Sequence, residues 1–189
     1  MMRDVAMPEG PMLLILDLDE TLVHATEGPL GHEHDFAVGP YAVHRRPHLA
    51  EFLGACSACF RLAIWSSASD DYVRDVLGRI IPRDLGLAFA WGRSRCVRRL
   101  DPDSYEVDYL KDLKKVKRLG FDLRRVLIAD DTPAKVRRHY GNAIYVPPYL
   151  GAPEDGTLPR LARYLRSLRD LPDVRALEKR GWSRIVPRD

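Results

Sequence analysis

The stretch Met12-Leu13-Leu14-Ile15-Leu16-Asp17-Leu18-Asp19-Glu20-Thr21-Leu22 decides how this chain is read. Five consecutive apolar residues are too few for a helix of ordinary length and suit a strand buried on both faces, as in a parallel sheet. Two carboxylates, Asp17 and Asp19, follow where that strand would end. Ligands of open α/β sheets bind beyond the carboxyl ends of the strands. Side chains two residues apart point the same way along extended chain. A pair of acids there can supply a nucleophile, a proton donor and metal ligands. Alone, an Asp-x-Asp is more often the polar turn that ends a strand, so the rest of the chain has to decide.

Two further apolar runs end in reactive side chains. Leu62-Ala63-Ile64-Trp65 stops at Ser66-Ser67, and Val126-Leu127-Ile128-Ala129 stops at Asp130-Asp131. A fourth strand is expected over 142–146, halted by Pro147-Pro148. Helical spacing runs over 70–81, over 158–168, and after Pro47 through Leu49, Phe52 and Leu53. Residues 109–119 also read as a helix, with Lys111 near its start. The segments 35–38 and 41–44 flank Gly39-Pro40 as a β-hairpin. Residues 85–110 read as a small strand-and-turn segment, with a turn at Asp101-Pro102-Asp103-Ser104. Residues 1–10 and the last ten are expected to be loosely held. Strands alternating with helices predict an α/β fold with a mainly parallel sheet. Right-handed crossovers would bring the three polar strand ends to one edge.

At 189 residues the chain suggests one domain, over 1–189 with a core of about 12–176. Its 46% apolar and 30% charged residues are ordinary for a soluble protein. No run approaches the ~20 apolar residues of a membrane span, and no secretory signal is visible, so a cytoplasmic protein without membrane association is expected. Three cysteines, an odd number, argue against a disulfide framework. Cys56 and Cys59 have zinc-ligand spacing without a second pair, and His32-Glu33-His34 lacks a third ligand. The net charge of +3 divides into −6 over residues 1–90 and +9 over 91–189. The basic half modestly favours an anionic substrate.

The three strand ends together supply what phosphoryl transfer requires: a nucleophile, a cation, donors for the phosphoryl oxygens and an acid for the leaving group. Asp17, the first carboxylate after its strand, is the preferred nucleophile, and Asp19 is placed as acid and then base. Asp130 and Asp131 add negative charge that a bound Mg²⁺ would offset. Ser66 can donate to a phosphoryl oxygen, and Lys111 is the candidate lysine.

Asp17-Leu18-Asp19-Glu20-Thr21-Leu22-Val23-His24 resembles, nearly residue for residue, the DxDx[TV] motif of the haloacid dehalogenase superfamily. Within it the resemblance is to the small phosphatases of the RNA polymerase II C-terminal domain, the NLI-interacting-factor family. Arg46 to Leu53, Lys111-Asp112-Leu113, Arg118 to Pro133 and Asp170 to Val174 extend it to about residues 12–176. The resemblance implies a Rossmann-like three-layer fold with a small hairpin and a small strand-rich insertion. It implies Asp17 as nucleophile of an aspartyl-phosphate, Asp19 as acid/base, and Ser66 with Lys111 as the phosphate-holding pair. Mg²⁺ would take the Asp17 carboxylate, the Asp19 backbone carbonyl and the acidic pair, Asp131 being favoured over Asp130 as direct ligand. Ser66 stands where Thr is frequent, and Asp130-Asp131-Thr132-Pro133 where Asp-Asn-Ser-Pro or Asp-Asp-Ser-Pro is common. The expected substrate is a phosphoserine or phosphothreonine protein. Nucleic-acid ends or a small metabolite are the enzyme alternative, and a catalytically inactive phosphate-recognition module is the alternative of another class. The sequence leaves the oligomeric state open.

Overall fold

The computed structural model describes residues 10–28, 30–100, 105 and 107–186. The expected turn at 101–104 and residues 1–9 of the lead-in lie outside the described residues. Five strands form one all-parallel sheet: β1 (Met12–Leu16), β5 (Phe60–Trp65), β6 (Leu87–Trp91), β9 (Val126–Asp130) and β10 (Ala143–Tyr145), in the order β10-β9-β1-β5-β6. A second, antiparallel sheet holds β2 (Val23–Thr26), β4 (Tyr41–Arg45) and β3 (Phe36–Val38) in the order β2-β4-β3, and β7 (Val97–Leu100) pairs with β8 (Val107–Leu110). The helices are α1 (Leu49–Ser57), α2 (Asp70–Ile80), α3 (Lys114–Lys117), α4 (Pro133–Val136), α5 (Thr157–Leu168) and α6 (Trp182–Ile185).

All five residues of β1 are buried, because both faces of its sheet are covered. Met12, Leu14 and Leu16 join the core built with α1, α2 and α5, while Leu13 and Ile15 pack with Leu113, Val116 and Val136 on the opposite face. That alternation is the period of two expected of extended chain between two helical layers. In α2, Val73, Val76, Leu77 and Ile80 are buried, Ser69 Oγ accepts from Tyr72 N at the N-cap, and Asp70 and Asp71 occupy the first turn. Acids there complement the positive end of the helix dipole.

Ladder hydrogen bonds continue past the ends of the strands and fix where the functional residues stand. Asp17 N donates to Ala129 O (2.9 Å), Ser66 N to Trp91 O (2.9 Å) and Val146 N to Asp130 O (3.0 Å). Glu20 then takes a left-handed backbone (φ 56°) that folds the chain back, so that Leu22 N and Val23 N both donate to Leu18 O. For a residue with a Cβ this conformation is unfavourable by about 1–2 kcal/mol and persists only where the surroundings hold it.

Arg46 helps to hold it. The side chain is buried; Nε and Nη2 grip both oxygens of Asp155 at 2.9 Å, Nη1 donates to Thr21 O (3.1 Å) and Nη2 to Pro147 O (2.9 Å).

Three expectations from the sequence need correction. Residues 109–119 are not one helix: Tyr109 lies in β8, opposite Arg98 of β7, and only Lys114–Lys117 are helical. The 85–110 segment gives β6 to the edge of the main sheet as well as building a hairpin. The C-terminal stretch is anchored through residue 186: Trp182 is buried, stacks on Tyr164 and donates its indole N–H to Tyr145 O (2.8 Å).

Candidate active site

The carboxyl ends of β1, β5 and β9 converge, and β1 lies between the other two. Asp17 (1% exposed) leaves β1, Ser66 (0%) leaves β5, and Asp130 (0%) ends β9. Lys111 (1%) reaches the same point from the end of β8, where it opens no helix. Its neighbour Asp112 pins that corner, accepting from Lys114 N (3.0 Å) and Arg138 Nη1 (3.1 Å) and lying 3.0 Å from His139 Nε2.

The Lys111 ammonium sits between two carboxylates, 2.7 Å from Asp17 Oδ1 and 2.6 Å from Asp130 Oδ2. Asp17 Oδ1 also accepts from Leu18 N (2.8 Å). Burial pushes the Asp17 carboxyl up, but Lys111 and then Lys135, whose Nζ is 3.6 Å from Asp17 Oδ2, outweigh it and hold the group below the usual carboxylate range. Asp130 goes the other way: burial first, and then the charge of Asp17, raise it against the pull of Lys111.

Asp19, two residues on, has a different environment. Tyr72 Oη donates to Oδ1 (2.8 Å) and Ser66 Oγ to Oδ2 (3.1 Å). Even so, burial and the negative charge of Asp17 raise its pKa. The two neighbouring carboxyls are therefore shifted in opposite directions, Asp17 down and Asp19 up. Environments that push neighbouring titratable groups apart suit them to different tasks in acid–base chemistry.

The unpaired atoms of the acidic cluster suit a divalent cation. Asp17 Oδ2 and Asp131 Oδ1 are buried and without a hydrogen-bond partner. One ligand atom from each of Asp17, Asp130 and Asp131 lies within 4.8 Å of the others, the only such group among the described residues. Both oxygens of Asp130 are engaged, by Lys111 and by Thr132 N (2.9 Å), whereas Asp131 uses only Oδ2, with Thr132 Oγ1 (2.9 Å). Buried acceptors without partners are unfavourable, and carboxylate oxygens suit Mg²⁺. The residues fit the ion.

All six residues singled out from the sequence thus meet at one sheet edge. The Ser66 hydroxyl is at present spent on Asp19 and on Ala68 N (2.9 Å). Two neighbours escaped the sequence reading. The sequence assigns Tyr72 a place in a helix at a set spacing from Ser66 but no role at the site, although Ser69 as N-cap puts residue 72 on the turn nearest the strand ends. Lys135 was one of several basic residues, although Thr132-Pro133 starts a turn that returns it towards β1. Arg93 stands at the rim, its Nε donating to Ser67 O (2.8 Å) and its guanidinium over the Tyr109 ring. His24 lies 3.2 Å from Glu20 Oε1, in keeping with a structural hydrogen bond.

A family model described as NLI interacting factor-like phosphatase matches residues 12–175. The CTD nuclear envelope phosphatase 1 homolog of Caenorhabditis elegans is 30% identical over 92% of this chain and 73% of its own. The Homo sapiens carboxy-terminal domain RNA polymerase II polypeptide A small phosphatase 1 is 32% identical over 89% and 64%. Nuclear envelope morphology protein 1 of Schizosaccharomyces pombe is 30% identical over 87% and 34%. The chain therefore spans less than two thirds of the last two relatives. The solved structure of Fcp1, an essential RNA polymerase II CTD phosphatase, matches with a TM-score of 0.62 at 21% identity, over 83% of this chain and 62% of that one. That match shows the fold. The cytoplasmic expectation is overturned by relatives named for the nuclear envelope in worm, fission yeast and Xenopus laevis. It rested on the lack of a long apolar run. Among the described residues no helix is long and apolar enough to cross a membrane, but that does not assign a compartment.

Proposed function

The chain belongs to the NLI interacting factor-like phosphatase family and is by that membership a phosphatase; we propose that it cleaves phosphomonoesters in two steps, with Asp17 as nucleophile and Asp19 as acid and base. The observation that carries this reading is the opposite direction in which two carboxyls two residues apart are shifted, Asp17 downward beside Lys111 and Asp19 upward by burial and the charge of Asp17.

In the first step an Asp17 carboxylate oxygen attacks phosphorus, the ester P–O bond breaks, and Asp19 gives its proton to the departing oxygen. In the second, Asp19 takes a proton from water, the water oxygen attacks the same phosphorus, and the bond to Asp17 breaks. Phosphate leaves, and both carboxyls return to their starting states. Lys111 balances charge on Asp17 before attack and on the phosphoryl oxygens afterwards. Ser66 adds a hydroxyl donor once it turns from Asp19. Bound Mg²⁺, held by Asp17, Asp131, the Asp19 backbone carbonyl and the supporting Asp130, would supply positive charge against the phosphoryl oxygens.

The substrate favoured by this reading is a protein carrying phosphoserine or phosphothreonine. Relatives named for the polymerase C-terminal domain support it, as does a cationic rim at Arg93. The test is phosphate release with Mg²⁺ across phosphopeptides, 3′- and 5′-phosphorylated oligonucleotides, nucleotides and sugar phosphates. The highest kcat/KM is expected on phosphopeptides. A clear preference for nucleic-acid ends or a sugar phosphate would replace the substrate class, and no turnover of any would favour the inactive recognition module.

A further inference from the structure

Lys111 is the lysine the chemistry demands, yet a second ammonium faces the same carboxylate. Lys135 lies in α4, five residues beyond Asp130, and its backbone is tied on both sides. Its carbonyl accepts from Lys111 N (2.8 Å) and its N–H donates to Thr132 O (3.0 Å). Its side chain is 23% exposed, and Nζ lies 3.6 Å from Asp17 Oδ2, the buried oxygen that makes no hydrogen bond. The groups around Nζ are Asp17, Asp130 and Asp131, with the like charge of Lys111 opposing them.

Charge and reach set what such a group does. Three carboxyls meet two ammoniums here, where Lys111 alone would face all three. The ammonium stands at the oxygen that a divalent cation would also need. Like charges that approach the same oxygen oppose one another, whereas both attract an incoming phosphoryl dianion. A lysine is a compact charge on a flexible four-carbon stem, so it can leave a carboxylate oxygen for a nearby anion without moving its backbone.

Resting on the site proposed above, we propose that Lys135 is a second charge-balancing lysine of this phosphatase, which weakens divalent-cation binding at Asp17 Oδ2 and strengthens binding of the phosphoryl group. Lys111 would then hold the nucleophile from the Oδ1 side and Lys135 from the Oδ2 side. The site would tolerate its cluster of acids before the metal arrives.

Two titrations with opposite expected signs test this. Calorimetry of Mg²⁺ alone with wild type, Lys135→Met, Lys135→Gln and Lys135→Arg measures cation affinity. Calorimetry of orthovanadate at saturating Mg²⁺ measures affinity for a phosphoryl mimic. Both neutral variants should bind Mg²⁺ more tightly, on the order of tenfold, and vanadate more weakly by a similar factor, as loss of one nearby positive charge requires. Lys135→Arg should stay close to wild type in both. Two neutral variants guard against one that fails to fold, which a thermal melt reports. A role confined to holding the fold would weaken both ligands together, and that result overturns the proposal. So does either affinity unchanged in variants that melt like wild type. If wild type binds neither Mg²⁺ nor vanadate, the site itself is wrong. If wild type binds both and the neutral variants match it, only the role of Lys135 falls.

Discussion

Two buried cations in this molecule make opposite use of carboxylates. Arg46 is bound on every side of its fork: it grips both oxygens of Asp155 and two carbonyls, and so staples the turn after β1 to the loop after β10. Lys111 is equally buried but divides itself between Asp17 and Asp130, and the cluster around it keeps two buried oxygens without hydrogen bonds. A buried ion whose charged and carbonyl partners are all committed to it holds structure. One surrounded by unpaired acceptors keeps bonding capacity for a ligand. The difference lies in what the neighbouring oxygens still lack, since both residues are 1% exposed.

The largest effect is expected at Asp17. Asp17→Asn should fold and lose all measurable turnover of an aryl phosphate, because an amide does not attack phosphorus as a carboxylate does. Substantial residual hydrolysis by protein free of contaminating phosphatase would remove Asp17 as nucleophile. Lys111→Ala comes next, with a loss of rate on the order of 10²–10³-fold, as when a preorganised donor is removed. Lys114→Ala should change the rate far less, and near-normal turnover in Lys111→Ala would assign its task to another cation.

Arg46→Met should reverse the pattern. Stranding Asp155 and two carbonyls is expected to lower stability by about 3–5 kcal/mol, read by urea denaturation, while catalytic constants of the remaining folded protein stay close to wild type. A variant as stable as wild type would mean that the staple holds nothing.

The smallest effect is expected at Tyr72. Its hydroxyl bonds the ionised form of Asp19 and so lowers a pKa that burial raises. Tyr72→Phe should raise that pKa further. Asp19 acts as acid only while protonated, so the alkaline fall in kcat for an alkyl phosphate should move to higher pH. An unmoved limb, or one displaced to lower pH, would contradict Asp19 as the acid.

Much of this was legible in the chain because short apolar runs broken by reactive residues read directly as buried strands and their ends. Asp17, Ser66 and Asp130 follow from three such runs. Lys111 is different. The Lys-rich spacing over 109–119 imitates a helix, but pairing with β7 claims residues 107–110, and Asp112 bonds Lys114 N to start the helix later. Tyr72 and Lys135 stayed hidden because each sits on a helix whose direction of approach depends on packing against the sheet. The edge strand β6 was missed for a related reason: its residues are mostly half-buried, so its apolar pattern is diluted.

The proposed mechanism turns on a covalent bond between Asp17 and phosphorus. Its most direct test is to quench Mg²⁺-loaded enzyme during turnover, reduce with borohydride, and map the modified residue by peptide mass spectrometry. An aspartyl-phosphate is an activated acyl group and is reduced to homoserine, whereas free carboxylates are untouched. Homoserine is expected at position 17 alone, dependent on substrate and absent in Asp17→Asn. Steady turnover with an unmodified Asp17, or with homoserine at Asp19, Asp130 or Asp131, would contradict the account.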